Sequence, residues 1–189
     1  SRDEVEKKIW EEFGEELSIL VLNMSGFTKI SQHHGLIYYL SMVRRMQLTS
    51  KPIIENYGGK VIKYEADNCF ATFRQPLAAI RTAISMNMAF DAANLLTPDD
   101  LDIKISCGID HGEVLIIDDT DFYGNAVNRA CKLGEDEAKS GEILITENAM
   151  KLVPIEADIK HKKIKIDISG ITIHGSSISY RQASNLQSK

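Results

Sequence analysis

The chain has no stretch of about 18 apolar residues, so no part of it is expected to span a membrane, and no secretory hydrophobic segment opens it. It also lacks a basic excess: 22 Lys and Arg stand against 27 Asp and Glu, a formal charge of −5. Duplex-binding proteins carry a positive field, so that class is disfavoured. Cysteine is scarce. Cys69, Cys107 and Cys131 are odd in number, show no Cys-x-x-Cys spacing and lie in apolar or helical contexts. Reduced, buried thiols in a cytoplasmic protein are expected, and a disulfide frame or zinc site is not. The five histidines (33, 34, 111, 161 and 174) lack metal-ligand spacing too. A nucleic-acid-binding ferredoxin-like domain needs stacking aromatics on strands and a basic face, and neither stands out. There is no repeat, linker or low-complexity stretch, so 189 residues read as one domain with room for a real core.

The acid excess is uneven. Residues 1–17 hold seven acids and three bases, net −4, which leaves residues 18–189 at net −1. Val5, Ile9, Trp10 and Phe13 alternate with those charges, so residues 1–16 read as an amphipathic helix or the remnant of a longer chain. Residues 17–181 form the domain body, and 182–189 a polar, frayed tail.

Leu17–Leu22 is an apolar run of strand length. From Leu36 the apolar positions return at helical spacing. Pro52 is expected to kink or restart that helix, and Gly58-Gly59 to stop it. Lys60–Tyr64 and Cys69–Phe73 alternate as strands around the polar Glu65-Ala66-Asp67-Asn68, a hairpin. Pro76 opens a helix to about Leu96, with Met86 and Met88 as core filling. Strands are expected at 102–109 and 113–117, turning at His111-Gly112. A helix is expected at 123–139, a strand at Glu142–Thr146 and a β-rich tail at 155–180. Helices interleaved with hairpins predict an α+β domain, its helices packed on a mixed, mainly antiparallel sheet.

Two places combine polar groups with strand ends and turns. Asn23 follows the first strand, and Asp67 sits in the hairpin. If these strands are neighbours, the two side-chain oxygens converge on a hard cation, and the Ser25–Thr28 turn offers N–H groups to a phosphate. The plain alternative is a turn whose polar residues merely cap it. Further on, Asn128 and Lys132 are four apart and share a helix face. An amide beside an ammonium suits a ribose oxygen beside a phosphate. A solvated surface helix is the plain alternative there.

Taken together, Val21-Leu-Asn-Met-Ser-Gly-Phe-Thr28, Gly58-Gly-Lys-Val-Ile-Lys-Tyr-Glu-Ala-Asp67, Cys107-Gly-Ile-Asp-His-Gly-Glu-Val114 and Asp121…Gly124…Val127-Asn128…Lys132-Leu133 occur in the order and spacing of class III nucleotidyl cyclases. The chain resembles their catalytic domains over about residues 17–150. The resemblance implies a ferredoxin-like core and the cyclisation of a nucleoside triphosphate, most simply ATP, with loss of pyrophosphate. It implies two divalent metal ions (Mg²⁺ or Mn²⁺), held by positions 23 and 67 and by the Met24 carbonyl. It sets Gly26, Phe27 and Thr28 over the phosphates, and makes Lys63 and Asp121 the base-selecting pair. Asn128 becomes the ribose-orienting amide, and Lys132 stands where the family has an arginine for the α-phosphate. Active sites in this family lie between two domains, so a homodimer with shared sites is implied.

Two departures bear on activity. Asn23 keeps an oxygen but loses the carboxylate charge, which makes the chain as written a poor cyclase. It is either a degenerate, nucleotide-binding pseudo-cyclase or an aspartate-to-asparagine replacement that traps substrate. The intact Asp67, Lys63, Asp121 and Asn128 favour replacement. Lys132 keeps a charge but cannot fork bidentately, and Arg129 next to it offers compensation. GTP or a pyrimidine triphosphate, giving cyclic UMP or CMP as in anti-phage signalling, stays open as a substrate.

Overall fold

The computed structural model describes residues 1–26 and 33–180. Phe27, Thr28 and the tail 181–189 therefore lie outside the described residues. The fold is organised by β1 (Gly14–Met24), which follows the amphipathic α1 (Arg2–Phe13) directly. β1 pairs antiparallel with β3 (Asn68–Phe73) on one side and with β4 (Ile105–Ile117) on the other. Outward from β3 lies β2 (Lys60–Glu65). Beyond β4 come β6 (Ile143–Thr146), β8 (Ile171–Ile178) and β7 (His161–Ile168), in that order, while the short β5 (Asp121–Tyr123) pairs separately with β4. Only the β4–β6 pairing is parallel among the described strands. The expected α+β fold, a mixed and mostly antiparallel sheet with packed helices, is what the chain adopts.

Side chains alternate across β1, so it feeds two cores. Leu20, Leu22 and Met24 pack against α2 (Leu36–Asn56) and α3 (Pro76–Asn94). Ile19 and Val21 face the other way, with Phe70, Phe122 and the small residues Ala126, Val127 and Ala130 of α4 (Asn125–Cys131). A short α5 (Glu147–Met150) follows β6.

Several local expectations change. The helix does not restart at Pro52 but continues from Leu36 to Asn56. The carbonyl deprived of its donor belongs to the exposed Leu48, while Met46, Ser50 and Ile54 carry the buried side past the proline. No turn forms at His111-Gly112, because β1 is long enough to pair with both residues, through Ser18 and Leu17. Gly112 is small for another reason: a Cβ there would come within 3.1 Å of the Ala126 methyl. The chain turns instead at Asp118-Asp119, both in the left-handed region. Of the two methionines, Met86 is core but Met88 is half-exposed, as two residues apart on a helix must be. The hairpin connection shortens to Ala66-Asp67. The helix expected at 123–139 is α4 followed by a π-helix, Lys132–Glu137. No described helix is long and apolar enough to cross a membrane.

Candidate active site

The end of β1 and the β2–β3 hairpin meet in register, Asn23 opposite Asn68. The Met24 N–H donates to the Asp67 carbonyl at 3.0 Å, which pins the hairpin tip to the strand end. Asn23 Nδ2 donates to Asn68 Oδ1 at 2.6 Å and lies 3.5 Å from Asp67 Oδ2. Positions 23 and 67 are thus together, but the amide nitrogen points at the carboxylate, where a cation would need an oxygen. Gly26 adopts φ +71°, which a side chain would strain, although open space surrounds it.

On the same sheet face, Lys63 Nζ donates to Asp121 Oδ1 at 3.0 Å and forms an ion pair with Glu65 at 3.4 Å, above the Phe70 ring. Asp121 also accepts from the Phe122 N–H at 3.1 Å and, through Oδ2, from the Tyr123 hydroxyl at 3.2 Å. The hydrogen bond to Asp121 holds the Lys63 ammonium above its usual 10.5, and the same bond holds the Asp121 carboxyl below its usual 3.8. Asp121's contribution is present above pH 3.8 and is lost as pH falls through its lowered value. Lys63's is present below pH 10.5 and is lost as pH rises through its raised value. The pair is therefore expected to stay ionised and bonded from about pH 4 to pH 10. A carboxyl resonance of Asp121 that titrates within that range would contradict this.

An open cleft of about 390 Å³ lies beside the pair, walled by Phe70, Phe122, Val127, Asn68, Cys131 and Glu135. Phe70 and Phe122 meet edge to face, with centroids 5.8 Å apart. Its lining sets the two rings and Val127 beside the polar Lys63, Glu65, Asn68 and Glu135, a combination suited to a nucleobase. A larger cavity of about 710 Å³, between α5 and β7–β8, is lined by none of the residues that the resemblance assigns to the site.

α4 carries Asn128, which is exposed, and ends at the half-buried Lys132, whose N–H donates to the Asn128 carbonyl one turn back. Arg129 turns its Nε inward, away from Lys132's position on the helix. Its Nε donates to Asp110 Oδ2 at 2.5 Å, and Asp110 is fully buried. The three cysteines are free: Cys69 and Cys107 are buried, while Cys131 is partly exposed on the cleft wall. Burial pushes the Cys69 and Cys131 thiols up to about 12, so neither is a thiolate at neutral pH.

Sequence reasoning gave no role to Phe70, Phe122, Tyr123 or Asp110. Phe70 fell within the alternating strand Cys69–Phe73 with no face assigned to it, and Phe122 fell outside every expected strand. Asp110, a lone acid inside an apolar strand, was a signal for a buried partner.

The protein-family model "Adenylate and Guanylate cyclase catalytic domain" matches residues 10–180. "Putative adenylate cyclase 3" of Rhizobium meliloti (strain 1021) is 24% identical over 142 residues, 75% of this chain. The chain spans about a quarter (24%) of that relative's length. The adenylyl cyclase CyaB from P. aeruginosa superposes with a TM-score of 0.76 at 20% identity, over 90% of this chain and 96% of that one. The non-canonical dimeric guanylyl cyclase domain of the RhoGC fusion protein from the aquatic fungus Blastocladiella emersonii does so with a TM-score of 0.70 at 17% identity, over 87% of this chain and 96% of that one. With the family model covering nearly the whole described fold, the chain belongs to the class III adenylate and guanylate cyclase catalytic domains.

Proposed function

We propose that this domain binds ATP and cyclises it to 3′,5′-cyclic AMP and pyrophosphate at sites shared between two copies of the chain, slowly as the sequence stands. The observation that carries the reading is the Lys63–Asp121 pair, whose lysine lines a cleft that Phe70 and Phe122 help to wall, on the sheet face that also bears Asn23 and the Asp67 hairpin. A carboxylate accepts about four hydrogen bonds, and Asp121 accepts three. One site is left for an exocyclic amine, and Lys63 has a third N–H for the neighbouring ring nitrogen. Adenine presents that order of acceptor and donor. Cytosine presents it too, whereas guanine reverses it, so CTP is the triphosphate expected to compete best. The 3′-oxygen bonds to the α-phosphorus as its hydroxyl proton passes to solvent and the bond from the α-phosphorus to pyrophosphate breaks. In this reading Asn128 orients the ribose, and Lys132 places a positive charge beside the α-phosphate.

Class III cyclases typically use two divalent metals. The donors here do not fit two ions: Asp67 alone is charged, Asn23 turns its nitrogen inward, and no group of three or more His, Cys, Asp or Glu among the described residues is placed to hold a metal. Turnover by the chain as written thus rests on its own side chains and is expected to be very low.

Incubation of the Asn23→Asp protein with Mn²⁺ and each of the four triphosphates tests the proposal. Cyclic AMP as the main product supports it, and another cyclic nucleotide would reassign the base. The engaged Asn23 amide favours a second reading, a pseudo-cyclase that binds nucleotide without turnover. Tight ATP binding with no cyclic product after Asn23→Asp would select that reading.

If the sites are shared, specific activity falls as the protein is diluted below its dimer dissociation constant. Specific activity that holds constant on dilution through that range would exclude shared sites.

A further inference from the structure

We infer that the buried Asp110 is a positioning residue for the helix that presents Asn128 and Lys132, acting through Arg129. The inference rests on the reading of those two side chains as groups that act on the nucleotide. α4 has only seven residues, no side-chain cap at Gly124 and no acid in its first turn. A helix so short has no stability of its own in water. Its buried face is Ala126, Val127 and Ala130, shallow side chains that resist sliding poorly.

The directional restraint is polar. Asp110 Oδ2 accepts from Arg129 Nε at 2.5 Å, and Oδ1 accepts from the His111 N–H at 2.8 Å and from the Thr146 hydroxyl. Thr146 ends β6 and caps α5 by accepting from the Ala149 N–H. One carboxylate, 0% exposed, thereby ties the middle of β4 to α4 and to the β6–α5 junction. A charged, buried, three-bonded acceptor tolerates little displacement of its donors. Arg129 adjoins Asn128 and lies three residues before Lys132, so its anchoring sets where both side chains emerge.

The test uses the Asn23→Asp protein as parent. Arg129→Lys keeps the charge but cannot reproduce the guanidinium geometry. It is expected to lower kcat about 10- to 100-fold, the effect of misplacing catalytic groups by about 1 Å. The nucleotide KM should stay within about threefold, because the base contacts are untouched. Amide exchange over 125–137 should quicken about tenfold while the central strands keep their protection. The neutral double variant Asp110→Asn/Arg129→Gln leaves no unpaired buried charge, and is expected to regain thermal stability without regaining kcat. Recovery of kcat together with stability, or an unchanged kcat in Arg129→Lys, would overturn the positioning role and leave the pair purely structural. If the parent makes no cyclic product from any triphosphate, the cyclase reading is what has failed. Exchange at 125–137 then decides the anchoring alone: unaltered protection in Arg129→Lys counts against it, and selective loss supports it.

Discussion

Asn23→Asp is expected to raise the affinity for Mn²⁺ or Mg²⁺ by at least about 10- to 100-fold, and the rate of cyclisation with it. Loss of a group that only supports a metal ligand costs that much, and a direct ligand should matter no less. The frame around position 23 already suits the change. Asn68 accepts from the Asn23 amide at 2.6 Å. Turned about its side-chain amide, it would donate to a carboxylate from the same place. Asp67 Oδ2 would then face a second carboxylate across about the 3.5 Å that now separates it from the amide nitrogen. Two anions that close repel until a proton or a cation joins them. The variant should therefore melt lower than the parent without divalent ions and recover when Mn²⁺ is added, an effect the parent lacks. Calorimetric titration with Mn²⁺, read beside thermal melts, checks this without any turnover. Equal Mn²⁺ affinity and equal melting in both proteins would show that position 23 does not meet the ion.

Gly108→Ala is expected to cost about 3 kcal/mol of stability or more, at the upper end for overpacking a core. A methyl on Gly108 would lie 2.3 Å from the Ala130 carbonyl oxygen, 2.4 Å from the Gly134 nitrogen and 2.9 Å from Leu133 Cβ. Two of those atoms are backbone, so no rotamer change relieves the clash. The Ser106 hydroxyl donates to the Gly134 carbonyl at 2.8 Å and fastens the same contact from the adjoining position of β4. The segment that must move to admit the methyl carries Lys132. Nucleotide turnover in the Asn23→Asp background should accordingly fall even at temperatures where the variant remains folded. Denaturant melts that match the parent's would refute the close packing.

Much of the architecture was legible because it follows from period and punctuation. The strand at Cys69–Phe73, the proline-opened helix and the hairpin near Asp67 each carried a local signal. What was hidden depended on partners far away in sequence. His111-Gly112 has turn composition, yet Gly112 is a glycine because Ala126 presses against it. The π-helix has no compositional marker, since it arises where Gly134 settles against the sheet. Within the site, the motifs named Asn23, Asp67, Lys63 and Asp121, but nothing local said that Asn23 would spend its amide on Asn68. Nor did Arg129, read only as a base near Lys132, announce that it serves a buried acid.

The pairing of β1 with β4 also bears on how the chain acquires its shape. The register joins Gly14–Met24 to residues about 90 positions later, Ile105–Leu115. Closing so large a loop is entropically costly, and folding slows as contacts become less local. During synthesis β3 and the helices at 36–56 and 76–94 can cover Leu20 and Leu22 first, while the β4 edge of the strand, and the face of Ile19 and Val21 that Phe122, Ala126 and Val127 cover, must wait for later residues. The hairpin β2–β3 can form early and lie against the other edge of β1, with Asn68–Phe73 opposite Ser18–Asn23. The β1–β4 pairing should therefore be among the last central contacts to form, and the nucleotide site, which needs Asp121, Asn128 and Lys132 from beyond β4, is completed only after it.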